Sequence, residues 1–267
     1  MSEPRRGDRL YRTEAIVLSG VDFKEADRIL TLYTREHGKI GVIAKGIRKP
    51  GSKLGYGLDQ LARVRVMLAR GRELDVVTNV ELVDPHLPLS GDLRAYSYAS
   101  HMGELVNRLT KEHEEQRKLF DLLAGAISVV SDGVDPFAVA RYFEMSLFSL
   151  LGYRIELYSC VRCGRELQAM VNSLSPRLGG LICPACELAD AAALPLSVNA
   201  QKYLRLLDRE GLTEIVHRLP GDALRAEVEQ AMLLYARYYC ERDLTSLAVL
   251  RSMQHNDQVE PVSSSGD

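Results

Sequence analysis

Four of the five cysteines fall in one stretch, Cys160-Val-Arg-Cys163 and Cys183-Pro-Ala-Cys186, with nineteen residues between the pairs. This C-x2-C…C-x2-C spacing is that of a zinc site. Each pair wraps a tight turn that points two thiolates at one ion. Two such turns complete the closed tetrahedral set that Zn2+ accepts without strain. Gly164 eases the first turn, Glu187 holds the matching place in the second, and Gly179-Gly180 lets the halves fold together. One structural zinc ion on Cys160, Cys163, Cys183 and Cys186 is the expectation, because four protein ligands leave no position for a catalytic water. Disulfides do not suit a cytoplasmic chain, and an iron–sulfur centre is a minor option for the same ligands. Cys240 stands alone on a helical pattern and reads as a packed thiol.

A second stretch, "GIRKPGSK" (Gly46 to Lys53), follows the apolar run "KIGVIAK" and has the glycine spacing of a nucleotide-binding P-loop. Pro50 removes one of the N–H groups that cradle phosphates, Ser52 and Lys53 stand in swapped order, and "LGYGLDQ" does not start a helix. ATP is therefore a poor fit. The cations suit a longer polyanion. Residues 35–72 hold ten Lys or Arg against Glu36 and Asp59, and residues 1–83 carry +5 while the remainder carries −7 within a net charge of −2. A basic region on an otherwise acidic chain is the footprint of a polyanion-binding face, although a solvated basic surface has the same composition. Lys45, Arg48, Lys49 and Lys53 are the candidate phosphate contacts, on a flexible loop, and Tyr56 within it is the candidate stacking residue. Tyr11, Phe23 and Tyr33 are further aromatics that a small barrel would ordinarily bury.

Enzyme signatures are absent. His113-Glu114 is not followed by a second histidine at position 117, and no G-x-S-x-G is present. Neither "HMGE" nor "CPAC" has deaminase form. Asp22, Glu25 and Asp27 could bind Mg2+, which keeps a Mg-dependent nucleic-acid enzyme as an alternative; a solvated turn explains them as simply. A zinc-containing transcription regulator is a further alternative.

The elements that must position these residues change character near residue 84. Before it, five short apolar stretches with tight turns read as strands: Arg12–Val21, Asp27–Thr34, Lys39–Lys45, Leu61–Ala69 and Glu73–Val83. Five strands in about 75 residues suit a small closed barrel of OB type, with an SH3-like barrel close behind. "VDPHLPLSGD" then breaks the pattern. Beyond it Ala95, Tyr98, Ala99, Met102, Leu105, Val106 and Leu109 recur at helical spacing. Further helices are expected over 115–131, from Pro136 through Leu151, over 197–208, and from Asp222 as N-cap through Tyr239. The fold class is α+β and multi-domain: an N-terminal OB barrel (1–83), a helical domain (84–253) with an inserted four-cysteine zinc module (157–190), and a polar, disordered tail (254–267). No run approaches the roughly 20 apolar residues of a membrane span, and "MSEPRRGDRLYR" lacks a signal-peptide core. A cytoplasmic protein is expected.

"YRTEAIVLSGVDFKEADRILTLYTREHGKIGVIAKGIRKPGSKL" resembles the N-terminus of the RecO family, bacterial mediators of recombinational DNA repair. The resemblance rests on Tyr11 to Leu18, Glu25 to Asp27, Thr34 to Lys39, Ala44-Lys45-Gly46, Arg48 and Ser52-Lys53, and extends through "GRELDVVTNVELVD" and "LLGYRIELYSCVRCG". It implies an OB-fold, a helical domain and a four-cysteine zinc module. It further implies binding of single- and double-stranded DNA, annealing of complementary strands, and help in loading RecA onto strands coated by single-strand-binding protein. The implied partners are RecR and the acidic C-terminal tail of that coating protein, with no membrane and a cytoplasmic, nucleoid-associated location. Lys39, Lys45, Arg48, Lys49 and Lys53 match the family's DNA-binding face, and some members lack the zinc cysteines, so the metal is implied to be a prop.

Overall fold

The computed structural model describes residues 9–52, 54–55, 57–86, 88–240 and 244. Five strands open the chain: β1 (Leu10–Phe23), β2 (Asp27–Thr34), β3 (Gly38–Ala44), β4 (Arg63–Ala69) and β5 (Asp75–Asp84). They close into a barrel in the order β1-β2-β3-β5-β4. Every neighbouring pair is antiparallel except β3 and β5, which touch in parallel through Val42 and Ile43. β1 is longer than its sequence pattern indicated. The register slips between Val17 and Ser19, a bulge that bends a 14-residue strand so that it pairs with both β2 and β4.

The two-residue period of β1 serves two cores. Ala15 and Val17 point into the barrel with Leu30, Leu32, Ile40, Val42, Val64 and Val66. Ile16 and Leu18 point outward, and with Tyr33 and Leu61 they join the helical core. A strand buried on both faces reads as the near-continuous apolar run "AIVL".

After β5 come a single turn α1 (Pro88–Gly91) and then α2 (Leu93–Leu109), α3 (Arg117–Ser131) and α4 (Pro136–Leu150). Asp92 caps α2 by accepting the Ala95 N–H at 2.9 Å, and Asp135 caps α4 by accepting the Ala138 N–H at 3.0 Å. A small sheet follows in the order β7-β6-β8, from β6 (Asn172–Ser175), β7 (Gly180–Ile182) and β8 (Leu194–Leu196). The chain then forms α5 (Val198–Arg209), α6 (Leu212–Ile215) and α7 (Asp222–Cys240). Ser197 caps α5, whereas Asp222 is the first residue of α7 and not its cap.

The core helix α4 carries an ionic network that apolar periodicity does not reveal. Arg141 and Glu144 are both fully buried, 2.5 Å apart, and Glu144 also meets His101 of α2 at 2.8 Å. Glu229 of α7 lies 4.0 Å from Arg141 and accepts the Tyr98 hydroxyl at 3.0 Å. The network links α2, α4 and α7, and the cost of desolvating its charges offsets much of their attraction.

Candidate metal centre and basic barrel loop

The four cysteines come from two tight turns facing one another. In the first, Gly164 adopts φ 73° and returns its N–H to the Cys160 carbonyl at 2.8 Å. Glu156 primes the approach by accepting the Tyr158 and Ser159 N–H groups at 2.8 and 2.9 Å. The second turn starts the 3-10 turn Pro184–Ala189 directly after β7, with the Cys186 N–H on the Cys183 carbonyl at 2.8 Å. The halves are laced by Val161 donating to Leu181 and Leu181 donating to Glu156. Gly180 is required here because a Cβ would overlap the Glu156 carbonyl.

All four Sγ atoms lie within 4.8 Å of one another, and Cys163 and Cys183 are 3.9 Å apart. Sulphurs held about 2.3 Å from a central tetrahedral ion are about 3.8 Å from each other, so the donor set fits a four-thiolate metal ion. The thiols also differ electrostatically. Burial works against the Cys160 thiolate, but N–H groups from Cys183, Cys163 and Arg162 outweigh it and draw the thiol down. The backbone N–H and guanidinium of Arg165 hold Cys163 down to about 6, while burial and the neighbouring sulphurs push Cys186 up to about 12. Four thiolates at this range repel one another, and a bound cation is what makes the full set compatible. Cys240 is buried and apart from the cluster, as a core thiol.

The basic loop leaves β3 at the end of the barrel where the β1–β2 hairpin also turns. Its first part, Gly46 to Ser52, is tied down by backbone hydrogen bonds. The Gly46 N–H donates to Asp27 Oδ1 at 2.7 Å, Arg48 N–H to the Ala26 carbonyl at 3.0 Å, and Lys49 and Ser52 close successive turns. Ile47 and Leu58 are buried in the barrel core and anchor the loop from below. Gly46 and Gly51, at φ 67° and 76°, supply the left-handed positions the turns need. Above this base Lys45, Arg48 and Lys49 are exposed.

The acidic cluster has other partners than a metal. Asp27 braces Gly46, and Asp22 pairs with Arg28 at 3.2 Å and Arg48 at 3.3 Å. Glu25 is exposed at the hairpin tip. Phe23 is also exposed there, with the Lys24 ammonium 5.3 Å from its ring. Tyr33 is fully buried, and the Tyr11 hydroxyl is bound to Asp75. Lys53 and Tyr56 lie outside the described residues.

Lys39 faces away from this edge. Its ammonium donates to the Asn107 and Thr110 carbonyls, both at 2.6 Å, at the C-terminal end of α2. Those carbonyls carry the negative end of the helix dipole, and a cation is what they favour. Burial lowers the Lys39 pKa from its ordinary value. The same turn of the β2–β3 hairpin is locked further by the His113 N–H on the Lys39 carbonyl at 2.9 Å and by Gly38, where a Cβ would overlap the Glu114 carbonyl. Arg35 adds an ion pair to Asp121 of α3 at 3.2 Å. These residues tie the barrel to the helices. The family resemblance gave Lys39 the same weight as Lys45, and its partners at Asn107 and Thr110 are distant in the chain.

No helix among the described residues is long and apolar enough to cross a membrane. Residues 9–86 match the family model described as "Recombination protein O N terminal" and residues 90–248 the one described as "Recombination protein O C terminal". The chain is 38% identical to the DNA repair protein RecO of Roseiflexus sp. (strain RS-1) over 243 residues, which is 91% of this chain and 86% of that protein. It is 34% identical over 249 residues to the DNA repair protein RecO of Symbiobacterium thermophilum, covering 92% and 98% of the two chains. The DNA repair protein RecO of Bifidobacterium animalis subsp. lactis is 36% identical over 244 residues, covering 90% and 99%. A barrel followed by helices with a four-cysteine cluster, matched along both halves, belongs to the RecO family of DNA repair proteins.

Proposed function

We propose that the chain is a non-enzymatic DNA-binding recombination mediator. In this reading it anneals complementary single strands and assists the loading of RecA onto strands coated by single-strand-binding protein. The observation that carries the reading is the barrel edge at Lys45, Arg48 and Lys49: exposed cations on a base held by backbone hydrogen bonds and Ile47, so that little ordering is needed to meet a strand of phosphates. Lys53 and Tyr56 extend the same contact set. Lys39 is left out of it, because its ammonium holds the end of α2.

The five-strand order with a parallel β3–β5 contact supports an OB-type barrel, whose loops commonly hold single strands. We read residues 1–83 as that domain and 84–253 as the helical domain, with the metal module at 157–190. The expected tail, 254–267, lies outside the described residues. One zinc ion on Cys160, Cys163, Cys183 and Cys186 would supply a closed structural crosslink with no open coordination position. RecR, the acidic tail of single-strand-binding protein and both single- and double-stranded DNA are the partners of this reading, in a cytoplasmic, nucleoid-associated protein. Asp22 and Asp27 act as braces, which supports a binding role over Mg-dependent catalysis.

Strand annealing by the full-length, metal-loaded protein tests the reading. Complementary oligonucleotides should anneal faster with the protein present, without nucleotide and without Mg2+. Mg2+-dependent turnover of DNA that is lost in D22N/D27N would replace this reading with an enzymatic one.

A further inference from the structure

The helical part of the chain is acidic as a whole, yet one of its faces is not. Lys202, Arg205 and Arg209 lie at i, i+3 and i+7 on α5, so they share one side of the helix over about 10 Å. Lys202 and Arg209 are exposed and make no hydrogen bond or ion pair among the described residues. They line a shallow cleft of about 440 Å3 with Asn199, Leu206 and Leu224.

Beside the cleft stands Tyr158, two residues before the first metal ligand and 40% exposed. Its ring is held, not free. The Arg205 guanidinium lies 5.4 Å from the ring centroid and donates twice to the carbonyl of Leu157, at 3.0 and 2.7 Å. The Glu156 carboxylate accepts the Tyr158 N–H at 2.8 Å. The charges of Asp208, Arg209, Arg205 and Arg154 surround the phenol, and Arg154 neutralises Asp208 through a two-pronged pair at 3.2 and 2.9 Å. Apart from that pair, Arg205 and Arg209 remain as cations at the phenol, and Lys202 follows on the same side of α5.

We propose that Tyr158, Lys202, Arg205 and Arg209 form a second contact for single-stranded nucleic acid, separate from the barrel loop. A base stacks on Tyr158, and Lys202 and Arg209 meet the adjoining phosphates. Stacking on an aromatic flanked by cations is the sequence-tolerant mode by which single strands are held. An acidic protein segment would find the cations but would leave the presented ring without a stacking partner. The inference rests on the DNA-binding reading and extends it: two separate contacts allow one molecule to hold two strands.

The test compares three full-length, metal-loaded proteins on fluorescent oligothymidylate across a salt series: wild type, K202A/R209A, and the loop variant K45A/R48A/K49A. Lys202 and Arg209 have no described partner to lose, and helical circular dichroism checks that the variant is folded. Removing two phosphate contacts should reduce the salt slope by about 1.4, and Y158L should weaken binding about tenfold at fixed salt. An unchanged slope in K202A/R209A, with the loop variant impaired, overturns this second contact and leaves the barrel reading standing. Loss in K202A/R209A with the loop variant unimpaired supports the second contact and removes the barrel loop instead. Binding of polyglutamate that falls in K202A/R209A while oligothymidylate binding does not would assign the face to an acidic protein partner and overturn the proposal.

Discussion

The barrel loop and the cysteine module both stand between longer regular elements, and both carry the side chains with evident chemistry. They differ in what makes those side chains useful. In the module, Cys160, Cys163, Cys183 and Cys186 converge, and their value lies in facing one another within 4.8 Å. In the loop, Lys45, Arg48 and Lys49 diverge, and their value lies in facing solvent. Convergence is written into local spacing, because a C-x2-C turn can aim its thiols in few ways. Divergence is decided by the rest of the fold. Lys39 and Lys45 sit six residues apart with the same charge, yet one closes a helix and the other meets water.

Removing the metal should have the largest effect. The module is continuous with the helical core through Cys160, Leu174, Leu181 and Ile182, so strong chelation or C160S should cost the helical part its cooperative thermal transition while the barrel keeps its β circular dichroism. Metal analysis should return one zinc per chain. Full retention of the transition after chelation would remove the module from the list of structural supports.

The junction between the two regions comes next. Gly38→Ala should destabilise the protein by about 1–3 kcal/mol in urea unfolding, because φ is +64° and the new Cβ meets backbone at Glu114. Lys39→Met should cost about 1–2 kcal/mol by leaving two helix-end carbonyls without their cation. It should change DNA affinity less than Lys45→Met does. A larger loss of affinity at Lys39 would return it to the DNA contacts.

The smallest effect is a pH dependence from His37 in the β2–β3 turn and His86 just after β5. Burial is the leading cause that lowers the pKa of both His37 and His86 below the ordinary histidine value. The unfolded chain therefore takes up protons first on acidification. Stability is complete above the ordinary value of about 6.5, falls as the pH drops through the window beneath it, and levels off below the folded-state pKa. Urea midpoints measured from pH 8 to pH 5 should fall, and H37Q/H86Q should flatten the fall.

The strands and helices were legible because their apolar periods are strong. The stripe from Ala95 to Val106 and the two-sided run at Ala15 to Leu18 both bury as their spacing requires. The convergence of the four cysteines was legible from their C-x2-C spacing. Long-range polar partnerships were not. Glu144 stands three residues from Arg141 on α4, but nothing nearby announces that His101 will meet Glu144 or that Glu229 will approach Arg141, and nothing near Gly46 shows that Asp27 will receive its N–H. The loop glycines read as hinges when taken alone; with Ile47 and Leu58 beneath them they are turn residues of an anchored platform. Tyr158 escaped notice because its partners lie on α5, forty or more residues on.

The central claim is that the exposed cations of the barrel loop hold nucleic-acid phosphates. A salt titration of single-strand binding, comparing metal-loaded wild type with K45A/R48A/K49A, tests it most directly. Three lost phosphate contacts should make the slope of log affinity against log salt shallower by about 2, with the fold unchanged by circular dichroism. Superimposable slopes for the two proteins would contradict the account.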